Sequence, residues 1–196
     1  MHNVYRTCDK FKLASYLIRT KLICRTVRLF RFPIDIRGKK WIDFGKQLTT
    51  GYWCRLEAFQ FGSSNGQIIF GNNVQINDFV HISSISSVKI GDNVLIASHV
   101  YISDNSHGFY KGDEKDSSPE IAPALREYNV APVSIGNNVW IGEGVIVLPG
   151  VTIGNGSIIG AHSVVNRNIP ENCIAVGSPA RVIKRFNKQT GCWEKE

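Results

Sequence analysis

Methionine is nearly missing from this chain, one in 196 residues, and long apolar runs are missing altogether. No stretch approaches the ~18–20 consecutive apolar residues of a membrane span, and the N-terminus has no apolar run suited to a signal peptide. Cysteine occurs five times, at 8, 24, 54, 173 and 192, scattered and odd in number. That spacing fits neither a disulfide framework nor a zinc site, so a reduced, intracellular protein with no metal is expected. A Walker loop and a dinucleotide fingerprint are also lacking. Acids are scarce near the start: residues 1–40 hold Asp9 and Asp35 against 11 Lys and Arg. What the chain does have is glycine, 18 in all, a hydrophobic content of 43% and a net charge of +7. The length suits one domain with a real core.

The most ordered stretch begins at Ile135 and divides into sixes: "IGNNVW IGEGVI VLPGVT IGNGSI IGAHSV VNRNIP". An aliphatic residue opens each block, at 135, 141, 147, 153, 159 and 165, and the fifth place is small or apolar. A period of six is neither the 3.6 of a helix nor the simple 2 of a strand. Positions five and one of successive blocks flank one outward residue, as in Val139-Trp140-Ile141, which is strand alternation over three residues. The remaining places, rich in Gly and Asn, suit corners with positive φ. Short strands joined by regular corners stack into a prism, the hexapeptide β-helix. Blocks recur upstream at Ile90, Ile96 and Ile102, and at Phe70, Ile76 and Ile82. From Phe70 to Ile90 is 20 residues, two more than three blocks, so one corner should bulge.

Two regions leave the repeat. Residues 103–134 break phase with the polar "HGFYKGDEKDSSPEIAPALREYN" and should form one long protruding loop, usually a functional feature. Residues 1–35 read as a basic helical segment with apolar residues at 13, 16, 17, 23, 27 and 30 on one face. Residues 36–180 would be the β-helix, and 181–196, "RVIKRFNKQTGCWEKE", a short capping helix.

On these motifs the chain resembles the left-handed β-helix acyltransferases of the hexapeptide-repeat family. Its closing "AVGSPARVIKRF" is similar to the family signature after the last coil. Its "GKKWIDFGKQLTTGYWCRLEAF" resembles members that O-acetylate bacterial surface polysaccharides. The resemblance implies a left-handed coil, acetyl-CoA as donor, a homotrimer and an active site shared between two subunits.

Acetyl transfer to a hydroxyl requires a general base, and a neutral histidine titrates near the working pH. Of the five histidines, His2 is terminal, His99 and His162 fall at corners, and His81 takes an outward strand position. His107 is the sixth, outward residue of "ISDNSH", the last before the excursion, where a cleft would form. The resemblance puts the catalytic histidine there, with Glu127 in "LREYN" to orient it; Asp104 and Asn105 are nearer in sequence but suit a corner. It further implies that Asn77 meets the acceptor, or else serves a corner. Trp140 would lie along the pantetheine channel, Gly142 and Ala161 would admit the cofactor arm, and Arg181, Lys184 and Arg185 would meet the phosphates. A backbone N–H between Trp140 and Glu143 would serve the oxyanion.

The expected activity is O-acetylation of a sugar of a bacterial surface polysaccharide or its precursor. The alternatives are acetylation of a small molecule (free sugar, antibiotic or serine), of a sugar nucleotide amine, and a non-catalytic β-helix scaffold. The basic N-terminus suits either contact with anionic membrane at the inner face, from the cytoplasm, or a helix packed on its own protein. It lacks a nucleic-acid-reading motif.

Overall fold

Each six-residue block forms one side of a three-walled coil. The computed structural model describes residues 6–62 and 64–196, Ser64 through its backbone alone, so His2 lies outside the described residues. One wall stacks strands Gln75–Ile76, Leu95–Ile96, Trp140–Ile141, Ile158–Ile159 and Cys173–Val176. The second stacks Ile34–Arg37, Cys54–Ala58, His81–Ser84, Tyr101–Ser103, Ile146–Val147 and Val164–Val165. The third stacks Ile42–Asp43, Gln67–Phe70, Ser87–Ile90, Val133–Ile135 and Thr152–Ile153. The chain visits first, second and third wall in turn, and coil neighbours pair in parallel and in register, as Tyr101 with His81 and Ile146.

The aliphatic position of each block points inward and lies over its counterpart one coil away. Ile76, Ile96, Ile141 and Ile159 line the first wall; Leu56, Ile82, Ile102, Val147 and Val165 the second; Phe70, Ile90, Ile135 and Ile153 the third, all buried. Each such side chain is worth about 1.5–3 kcal/mol of burial, and the stack adds them coil by coil. Where the fifth position changes from Val to Ser, the hydroxyl is satisfied: buried Ser157 donates to Pro170 O and accepts from Cys173 N. Corner asparagines carry positive φ, 56° at Asn73, Asn93 and Asn138. They also tie coils together, as when the Asn137 side-chain oxygen accepts from Asp92 N at 2.7 Å.

The bulged corner is at Ile85 and Ser86, between the second and third walls. The long excursion leaves the next coil at that same corner. It is not an open loop at its base. Asn105–His107 pairs antiparallel with Tyr128–Val130, and the coil resumes at Val133. The ribbon therefore spans 105–130, narrower than the 103–134 expected.

Both ends differ from expectation. The helix, α1, is Thr7–Ile23, and Val27 and Phe30, assigned to its face from sequence, instead lie in the core beside the first coil. The coil pattern is already under way at Leu29, which bridges to Thr49. At the other end the expected capping helix is a β-hairpin, Arg181–Asn187 with Cys192–Lys195. Burial alternates along the first strand, Val182, Lys184 and Phe186 half-buried between exposed Arg181, Ile183 and Arg185, a strand pattern, and Asn187 turns the chain by accepting from Gln189 N.

Candidate active site at the ribbon

The ribbon is stapled to the coil by a carboxylate that sequence reasoning left as a corner residue. Asp104 is fully buried. It accepts from Ser84 Oγ at 2.7 Å, Ile85 N at 3.0 Å, Ser86 N at 2.8 Å and Asn105 Nδ2 at 3.0 Å. A buried carboxylate is tolerated only with such full satisfaction, and here it absorbs the two extra residues of the bulged corner. Its carbonyl takes Ala131 N at 2.9 Å, so the same residue holds both ends of the excursion.

On this base the ribbon stands off the second wall and encloses a cavity of about 460 Å³. Ser83 and Tyr101 line it from the wall and His107 and Tyr128 from the ribbon, with Phe59 and Pro149 beside them. His107 is opposite Tyr128 in the ribbon, and their rings lie 4.5 Å apart. Phe61 packs edge-on against the other side of this pair, 5.0 Å from Tyr128. Among the described residues neither imidazole nitrogen of His107 has a hydrogen-bond partner, and the side chain is exposed. A neutral imidazole so placed can accept a proton from a group in the cavity.

Glu127 is not joined to it. It precedes the residue paired with His107, so strand alternation turns its side chain to the opposite face, where it lines a separate cavity with Phe109 and Arg126. Only its carbonyl reaches across, to Gly108 N at 2.7 Å. Within one chain the orienting contact on His107 is therefore the Tyr128 ring. Sequence offered one signal for it, an aromatic five residues before the coil resumes at Val133.

His81 stands on the same wall in a different state. Its Nε2 meets Glu57 at 2.6 Å and its Nδ1 meets Arg55 at 3.1 Å. Arg37 completes the pair by donating to Glu57 at 2.9 Å, and Glu57 is buried. Burial pushes the His81 pKa down, and Arg55 adds to that shift against the pull of Glu57. A ring with both nitrogens engaged is not available as a base.

The remaining candidates lie on the first wall. Trp140 points outward, half exposed, in a column with Gln75, Leu95, Ile158 and Ile174. Arg181 and Lys184 pair with Val176 and Ile174 at the end of this wall. Arg185 does not join them: it is ion-paired to Glu196 at 2.8 Å. Gly142 is buried, and a β-carbon there would stand 2.7 Å from Ala161 N, so coil stacking alone demands glycine; Ala161 is exposed. The N–H groups of Trp140 and Gly142 donate to Ser157 O and Ile159 O, which removes them as oxyanion donors. Asn77 sits at the corner between first and second walls, its N–H bonded to Ile96 O. The cavity that His107 lines includes neither Trp140 nor Asn77. No cluster of metal-ligating side chains occurs among the described residues.

Comparison with known proteins agrees with this architecture. Residues 132–167 match the model of the bacterial transferase hexapeptide family (six repeats). Over 191 residues the chain is 46% identical to WbbJ of Escherichia coli (strain K12), covering 97% of this chain and 95% of that protein. WbbJ is named, provisionally, as a lipopolysaccharide biosynthesis O-acetyl transferase. The galactoside O-acetyltransferase of the same organism is 42% identical over 129 residues, 66% of this chain and 58% of its own length. A solved galactoside acetyltransferase in complex with coenzyme A superposes with a TM-score of 0.54 at 30% identity, covering 90% of this chain and 84% of that one. A Bacillus cereus N-acyltransferase, AntD, shares the fold with a TM-score of 0.68 at 22% identity, covering 85% of this chain and 84% of that one. The three-walled coil, its six-residue phase and the full-length match to WbbJ place this chain in the family of bacterial hexapeptide-repeat transferases.

Proposed function

We propose that the protein is an acetyl-CoA-dependent O-acetyltransferase that acts on a sugar hydroxyl of a bacterial surface polysaccharide or its precursor, in the cytoplasm where acetyl-CoA is made. Its coil winds left-handed, as the family resemblance implies. The observation that carries the reading is His107: an imidazole with no hydrogen-bond partner among the described residues, lining a cavity, in a chain related over its whole length to a protein named for O-acetyl transfer.

His107 takes the proton of the acceptor hydroxyl as its oxygen attacks the thioester carbonyl. The tetrahedral intermediate collapses, the carbon–sulfur bond breaks, and the proton passes from the imidazolium to the departing thiolate. Tyr101, Tyr128 and Phe59 offer flat apolar surface for a sugar ring, and Ser83 a hydroxyl. The acetyl donor suits the first wall. Leu95, Trp140 and Ile158 form an apolar outward column, next to the small residues Ala97, Gly142 and Gly160, and Lys184 and Arg181 lie at its end for phosphate.

His107 and Trp140 lie on different walls, so the reading calls for a homotrimer in which one subunit's ribbon meets the first wall of the next. The corner between those walls supports it. Trp53 and Phe79 hold φ of 58°, a costly conformation for bulky residues, and both are exposed in the single chain. Sedimentation equilibrium should report about three times 21.9 kDa. Mixing His107→Ala with Trp140→Ala subunits should restore activity that neither variant has alone. The function itself is tested by transfer from labelled acetyl-CoA to a panel of polysaccharides, lipid-linked precursors and free sugars, read by mass. Acetylation of free galactosides alone would move the acceptor to the small-molecule class; transfer to none would end the reading.

A further inference from the structure

The N-terminal end of the coil carries a surface that acetyl transfer does not use. Helix α1 lies over the first coil through one face. Tyr16 Oη donates to Phe32 O at 2.8 Å, Thr20 Oγ1 accepts from Phe30 N at 2.9 Å, and Leu13 and Ile23 pack against the core. At 100° per residue the opposite face is Phe11, Ala14, Ile18 and Leu22. Its three large side chains are 74%, 65% and 82% exposed.

The charges are arranged about that stripe. Lys10 and Lys21 border it on one side, Lys12 and Arg19 on the other, and the one acid of the helix, Asp9, is on the inner face, where it caps Arg6 N. Three of these four cationic heads fold back towards the protein. Lys12 Nζ lies 5.1 Å from the Tyr52 ring, the Arg19 guanidinium 3.8 Å from the Phe32 ring, and Lys21 Nζ donates to Val27 O at 2.6 Å. The apolar stripe is thus outermost and the cations stand behind it. That is the order of layers in a bilayer leaflet met from outside: acyl chains deepest, anionic headgroups nearer the protein.

We propose that this end of the coil docks on an anionic lipid bilayer, with Phe11, Ile18 and Leu22 inserted below the headgroups and the bordering cations at their level. A second copy of the same cap would set these cations against their own kind, and a convex stripe offers no groove for a peptide. Three such caps at one end of a trimer would bind together and reinforce one another.

The test is vesicle co-sedimentation of the full chain, which needs no acetyl transfer and so stands or falls apart from the proposed activity. The protein should bind phosphatidylcholine vesicles containing phosphatidylglycerol at low salt, release as salt rises, and ignore phosphatidylcholine alone. A Phe11→Ser/Ile18→Ser/Leu22→Ser variant should lose binding by roughly a hundredfold, since it removes most of the inserted apolar area. It should keep its circular dichroism and its transfer to a soluble acceptor. Three results would overturn the proposal: no binding of the intact protein at low salt, equal binding by the triple variant, or a change of oligomeric state in that variant, which would assign the stripe to another copy of the chain.

Discussion

The second wall and the ribbon that leaves it each hold a histidine, and they treat it oppositely. His81 stands within the wall, with in-register neighbours one coil away on either side, and Glu57 and Arg55 occupy both its nitrogens. His107 stands on a two-stranded ribbon, where its one cross-strand neighbour, Tyr128, meets the ring by contact and leaves the nitrogens open. A stacked coil is good at locking side chains because every outward residue has partners above and below. A ribbon escapes that stacking, which is what a base that must exchange a proton requires.

The strongest way to break this contrast is to remove the ring on the ribbon. His107→Ala should lower the rate of acetyl transfer by roughly 10²–10⁴ with unchanged circular dichroism. Near-normal turnover in the folded variant would return His107 to the status of a surface residue.

Next in size is the staple. Asp104→Ala leaves Ile85 N and Ser86 N without their acceptor and Ser84 Oγ with Gln67 O alone, which should cost about 1–3 kcal/mol in chemical denaturation. It should also loosen the ribbon and lower kcat by about ten- to a hundredfold, since a small misplacement of a base is expensive. A variant with full activity would mean that the ribbon positions itself.

A smaller effect separates contact from hydrogen bonding. Tyr128→Ala should lower kcat about tenfold, and Tyr128→Phe should restore it, because it is the ring that rests on His107. Phe61→Ala, one contact further out, should do less. Failure of the Phe variant to rescue would point to a role for the hydroxyl.

The smallest effect on turnover is expected at His81. His81→Gln should change kcat by no more than about twofold, since the ring is not an available base. Its signature is in stability instead. The folded-state pKa lies below the ordinary value of 6.5, so the unfolded chain takes up the proton first. The contribution is complete above that value and is lost as pH falls through it towards the folded pKa. Urea denaturation should therefore weaken more steeply below about pH 6.5 in the parent than in His81→Gln. Parallel curves would remove His81 from the acid response.

Much of the coil was legible before any coordinates, because its stabilising term is local and periodic. An apolar residue every sixth place, Asn or Gly at corners and the outward Trp140 between Val139 and Ile141 follow from strand alternation and positive φ. So did the bulge between Phe70 and Ile90, and the position of His107 where the phase breaks. The ends were misread for a shared reason. "RVIKRFN" contains apolar residues compatible with either period, and the edge of the preceding strand, waiting to be paired, decided for a strand. Val27 and Phe30 continue a helical stripe on paper, but the first coil needed them in its core.

What the sequence alone determined is the repeat, and with it the walls, the inward columns and the place of the excursion, since each depends on residues six positions apart. What only the tertiary structure decided is which side chains meet across coils and across the ribbon. Asp104 with Ser84, Ile85 and Ser86, Glu57 with His81, and Tyr128 rather than Glu127 with His107 are pairings set by register. A register is a property of two strands at once: it fixes which faces coincide, and a shift of one residue reverses them, so no single strand's pattern contains it.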